Sequence, residues 1–108
     1  MQQECTTNMQ TRQDYINIIR NHSQILQHDY GVQSLCLFGS VARDEHTTLS
    51  DVDVLVDMPA DMRRVVAAQQ YLESLLGCPV DLVRRHPYLS EFFLDQVSKY
   101  GITVFPAS

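Results

Sequence analysis

The sequence predicts an α/β fold in which helices pack on one small sheet. Three observations carry this. Apolar residues at helical spacing alternate along the chain with short apolar runs of strand length. Glycine or proline closes most of these segments. The length, 108 residues, suits one domain with a single core.

Residues 1 to 10 are polar and unpatterned, and are expected to form a flexible N-terminus ahead of a single domain over residues 11 to 108. Tyr15, Ile18, Ile19, His22, Ile25 and Leu26 form one apolar stripe at helical offsets. Thr11 with Asp14 three residues on is the expected cap, and Gly31 the stop. Leu35 to Phe38 is a continuous apolar run, too short for a buried helix, and reads as a central strand with Cys36 packed in the core. Gly39-Ser40 ends it, and Val41 to Asp44 has the length of a helical turn.

From Val52 to Met58 the pattern alternates. Val52, Val54, Val56 and Met58 share one face, and Asp51, Asp53, Leu55 and Asp57 the other, until Pro59 ends the strand. Asp61 caps the next helix, whose stripe is Val65, Val66, Leu72, Leu75 and Leu76, with Gly77 as its stop. Val80 to Val83 reads as a third strand. Pro87 is placed in the first turn of a last helix carrying Leu89, Phe92, Phe93, Val97 and Tyr100, and Ile102 to Phe105 forms a terminal strand. Tyr15, Tyr71, Tyr88 and Tyr100 read as packing or interface residues.

Charge and cysteine usage bound the function. Eight Lys and Arg against 13 Asp and Glu leave a net charge of −5, the wrong sign for a protein that grips a nucleic-acid backbone directly. The three cysteines form no C-x-x-C pair and no disulfide framework, which points to a reducing, cytoplasmic setting. No apolar run is long enough to span a membrane.

Three features carry chemistry. Asp51 and Asp53 lie two apart on a strand, so both carboxylates point to one face and repel unless a cation joins them, which suits a hard divalent ion such as Mg²⁺. The plain alternative is a solvated strand edge. Asp81 sits between Val80 and Leu82, where a carboxylate is costly unless it is paired or metal-bound; Arg84 and Arg85 are the alternative partners. Gly39-Ser40, directly after a buried strand, allows close backbone approach to a phosphate, with Arg43 one turn on to add positive charge.

Together these read G-S, ten residues, then D-x-D, with a lone Asp on a later strand. Phe38-Gly39-Ser40-Val41-Ala42-Arg43 and Ser50-Asp51-Val52-Asp53-Val54-Leu55-Val56 resemble the signature of minimal nucleotidyltransferases (MNT), in the DNA polymerase β-like superfamily. The resemblance implies a mixed sheet with flanking helices. It implies that Asp51, Asp53 and Asp81 are catalytic and hold two Mg²⁺ ions. It implies that Gly39 and Ser40, with Arg43 and Ser50, bind the triphosphate of ATP. Asp44 stands where many members have glycine. Stand-alone proteins of this kind are antitoxins paired with HEPN-domain ribonuclease toxins. The implied action is transfer of AMP from ATP to a tyrosine of the toxin, with Asp81 helping to deprotonate the acceptor. The signature spans most of the chain and leaves no lobe for another acceptor, so a partner protein is the expected one. A binding-only antitoxin and a small-molecule nucleotidyltransferase are the alternative readings.

Overall fold

Local signals at the segment ends decide where each element starts. The Thr11 hydroxyl accepts the Asp14 backbone N–H at 3.1 Å, and the Asp14 carboxylate accepts the Thr11 N–H at 2.9 Å. This reciprocal cap opens α1 (Arg12–Asn21). The computed structural model describes residues 11–45 and 51–106; the expected flexible N-terminus and Ser50 lie outside them.

The single helix expected up to Gly31 is two. The His22 ring Nδ1–H donates to the Ile18 carbonyl at 2.8 Å, its backbone N–H bonds Ile19 O, and its φ of −110° leaves the helical range. A side chain that takes a backbone acceptor of its own turn competes with the helical ladder. A second helix, α2 (Ser23–Asp29), follows, and Ile25 stays exposed while Leu26 is buried.

Four strands then form one mixed sheet: β1 (Ser34–Phe38), β2 (Val52–Asp57), β3 (Val80–Arg84) and β4 (Ile102–Phe105), in the order β3-β2-β1-β4. β1 pairs antiparallel with β2 and β4, whereas β2 and β3 are parallel. The parallel pair needs a crossover, which α4 (Met62–Leu76) supplies. Asp61 caps α4 by accepting the Arg63 N–H at 3.1 Å, and Gly77 ends it at a φ of 71°. A four-residue α3 (Gly39–Ala42) follows β1, and α5 (Glu91–Tyr100) precedes β4.

The core lies on one sheet face. Leu35, Leu37, Val52, Val54 and Val56 are fully buried there, beside Ile19, Leu26, Ala68, Leu72 and Leu76 from the helices. The expected α4 stripe is rotated, leaving Val66 exposed and Ala68 buried. Cys36 is half-buried because alternation turns it to the opposite face from Leu35 and Leu37. Pro87 stands in the turn before α5, which Ser90 caps by accepting the Phe93 N–H at 3.0 Å. Of the α5 stripe only Val97 is buried; Phe92 and Tyr100 face outward, because this helix covers just part of the second sheet face. Among the described residues no helix is long and apolar enough to cross a membrane.

Candidate active site

The second sheet face brings the acids together. Phe38 is paired with Asp53, and Asp53 with Asp81, so the three side chains form one row across β1, β2 and β3. Asp51, just before β2, is exposed and two residues from Asp53. Asp81 is also exposed, because β3 is an edge strand. The burial cost expected from its apolar neighbours is therefore not incurred, and no ion pair with Arg84 or Arg85 forms among the described residues.

Asp53 is the acid under electrostatic pressure. Partial burial raises its carboxyl above the ordinary aspartate range, and the nearby Asp81 and Asp51 charges raise it further. Arg43 acts in the opposite sense. Among the described residues no three His, Cys, Asp or Glu side chains form a group tight enough to hold a metal ion by themselves.

Gly39 closes over this row. Its φ is +72°, the left-handed region, and a Cβ on it would collide with the Asp53 carboxylate, lying 3.0 Å from Cγ and 3.2 Å from Cβ. Glycine is demanded twice here, by the backbone and by the approach to Asp53. Ser40, half-buried, starts the tight turn whose carbonyl accepts the Glu45 N–H at 2.8 Å. The Arg43 Nε donates to Glu45 Oε1 at 3.0 Å, and Arg12 ties the end of α3 to α1 through the Ala42 carbonyl at 2.9 Å. Asp44 has a φ of 60°, which explains why glycine suits this position: the turn after α3 passes through the left-handed region, tolerated by Asp better than by most residues.

Two cavities open on this side of the sheet. One of about 190 Å³ opens beside Phe38 and Gly39, walled by Arg43, Phe93, Gln96 and Tyr100. The other, about 400 Å³, lies further along the same face between Cys36, Leu55, Arg85 and α5. Phe93, expected as helix core, instead meets Phe38 edge to face at 5.1 Å and 87°. Nothing in the local sequence marks Gln96 or Tyr100 as neighbours of Gly39; only the docking of α5 brings them there. Tyr15 is buried, its hydroxyl pushed up to about 12 mainly by burial, whereas Tyr71 stacks on Tyr30 and Tyr88 and Tyr100 are exposed.

A nucleotidyltransferase domain model matches residues 19–104. The chain belongs to the nucleotidyltransferase domain family. It is 36% identical over 89 residues to a Methanocaldococcus jannaschii protein assigned as a protein adenylyltransferase, covering 77% of this chain and 91% of that protein. It is 37% identical over 79 residues to the protein adenylyltransferase MntA of Thermococcus cleftensis, covering 71% and 80%.

Solved structures agree with this nucleotidyltransferase fold. One described as a minimal nucleotidyltransferase superposes with a TM-score of 0.71 at 28% identity, covering 88% of this chain and 97% of that one. A toxin–antitoxin complex with AMP-PNP gives 0.65 at 27% identity, covering 82% and 74%. The complex of a tri-AMPylated Shewanella oneidensis HEPN toxin with its MNT antitoxin gives 0.59 at 25% identity, covering 85% and 73%. The expected mixed sheet with flanking helices is thus the observed one, and the nucleotidyltransferase assignment rests on both family and fold.

Proposed function

We propose that this nucleotidyltransferase is an antitoxin that transfers AMP from ATP to a tyrosine of a HEPN-domain ribonuclease toxin and so neutralises it. The observation that carries the reading is the juxtaposition of Gly39 against Asp53, with Asp81 beside it in register. A phosphate-approach turn and a row of acids then share one corner of the sheet. The protein adenylyltransferase relatives and the AMPylated toxin in a structural neighbour support the acceptor class.

In this reading Gly39 and Ser40 receive the triphosphate, Arg43 offsets its charge, and Ser50 completes the binding set from outside the described residues. Asp51, Asp53 and Asp81 are the ligands for two Mg²⁺ ions. The set fits the ion: all donors are hard carboxylate oxygens, and Mg²⁺ needs only one or two of them beside substrate phosphates and water, so a closed protein cage is not required. Bound Mg²⁺ supplies charge neutralisation for the triphosphate and the pentacoordinate phosphorus.

The chain's own contribution is placement and proton transfer. The acceptor tyrosine oxygen forms a bond to the α-phosphorus as the bond to the pyrophosphate oxygen breaks. Its proton passes to the exposed Asp81 carboxylate. Pyrophosphate leaves, and AMP stays on the toxin as a phosphodiester.

The test is incubation of the chain with Mg-ATP and a HEPN-domain toxin, read by intact-mass spectrometry. Mass gains in AMP units on the partner, lost in an Asp51→Asn/Asp53→Asn double variant, are the expected result. An unmodified but inhibited partner overturns the transferase reading in favour of a binding-only antitoxin. Transfer to a small molecule without any protein partner overturns the assignment of acceptor.

A further inference from the structure

The cavity beside Gly39 is too small for a whole nucleotide. Its volume of about 190 Å³ falls below the ~300–1,000 Å³ of sites that enclose a complete small-molecule ligand. It suits one flat ring system. Resting on the nucleotidyl-transfer reading above, we infer that this cavity is the purine-base subsite of the nucleotide, and that Gln96 makes it select adenine over guanine.

Position comes first. Phe38 and Gly39 line the cavity and also flank Asp53, so a ring seated here lies next to the turn that takes the phosphates. The walls are those of a stacking site. Phe38 and Phe93 both line the cavity and meet edge to face, at 5.1 Å and 87°. Tyr100 is half exposed at the rim. Aromatic faces bind any base without reading it. The Arg43 guanidinium, held to Glu45, adds a flat cation at the same wall.

The reader is Gln96. It is exposed, and its amide has no hydrogen-bond partner among the described residues. A carboxamide offers one donor and one acceptor side by side, the complement of adenine N7 and its N6 amine. Guanine presents two acceptors on that edge, N7 and O6, so the amide oxygen of Gln96 would face an oxygen. Stacking therefore supplies binding for any purine, and Gln96 supplies the preference.

Isothermal titration of the full chain with ATP or GTP in Mg²⁺ buffer, without a protein partner, tests this. The wild type is expected to bind ATP about tenfold more tightly than GTP, the size of one bidentate base contact. Gln96→Leu should bring the two affinities within about twofold by removing that contact. Gln96→Arg, which offers two donors, should reverse the preference toward GTP. Both substitutions are at an exposed site, and unchanged melting temperatures check that the fold survives. Equal affinities in the wild type, or a ratio that Gln96→Leu leaves unchanged, overturn the base subsite while leaving nucleotide binding and transfer standing. Loss of all nucleotide binding in the wild type overturns both.

Discussion

Two glycines offer a matched experiment on the contact that builds the site. Gly39 and Gly77 have nearly identical φ values, 72° and 71°. They differ in what a methyl group would meet. At Gly77 nothing lies within 4 Å, whereas at Gly39 the methyl collides with the Asp53 carboxylate. Alanine at either position pays the left-handed penalty of about 1–2 kcal/mol, reduced by the ~0.4–1 kcal/mol gained from a less flexible unfolded chain. Gly77→Ala is therefore expected to cost about 1 kcal/mol. Gly39→Ala adds an overpacking cost of about 1–3 kcal/mol, for a total of about 2–4 kcal/mol. Urea denaturation measures both losses. Nucleotidyl transfer separates them further: Gly77→Ala stays active, while Gly39→Ala displaces Asp53 and loses about a hundredfold or more, the scale of an ångström-sized misplacement of a catalytic group. Equal stability losses with full activity in both variants would refute the proposed dependence on Gly39–Asp53 contact.

Three further outcomes follow from other parts of the molecule. Asp44→Gly relieves the left-handed turn after α3 and should stabilise the fold by about 0.5 kcal/mol, the penalty of that conformation less the added unfolded-state freedom; a lower urea midpoint contradicts this. Leu37→Ala, at a fully buried position of the central strand β1, should cost about 2–5 kcal/mol by denaturation. Asp53→Asn should stabilise the free protein near neutral pH while abolishing transfer. Because its folded carboxyl lies above the unfolded value, the penalty on the ionised form is absent below the ordinary aspartate range and develops as pH rises through the folded value. The stability gap between wild type and variant should therefore close on acidification, as followed by melting temperature against pH.

The capping residues and the strand alternation were legible because they act over a few residues. Thr11 and Asp14, Asp61 with Gly77, and the Val52–Met58 alternation all appear where their local chemistry places them. The Gly39-Ser40 turn and the Asp51-x-Asp53 pair were legible for the same reason. Three things were not. The helix break at His22 depends on a ring bonding its own turn, which the apolar period does not register. Asp81 looked buried because its neighbours are apolar, yet exposure is set by the strand order that puts β3 at the edge. Phe93 and Gln96 carry ordinary helical spacing. Their proximity to Gly39 arises from how α5 docks on the sheet.

The parallel pairing of β2 with β3 also sets when the site comes into being. Phe38 and Asp53 meet through an antiparallel pair close in the chain. Asp81 joins through a parallel pairing that needs the α4 crossover to bring the chain back alongside β2. Loop closure of that length is slower than local pairing. Asp81 is thus expected to be the last acid to join the site during folding. In refolding experiments transfer activity should lag behind assembly of the β1–β2 pair, making catalysis itself a reporter of the final long-range step.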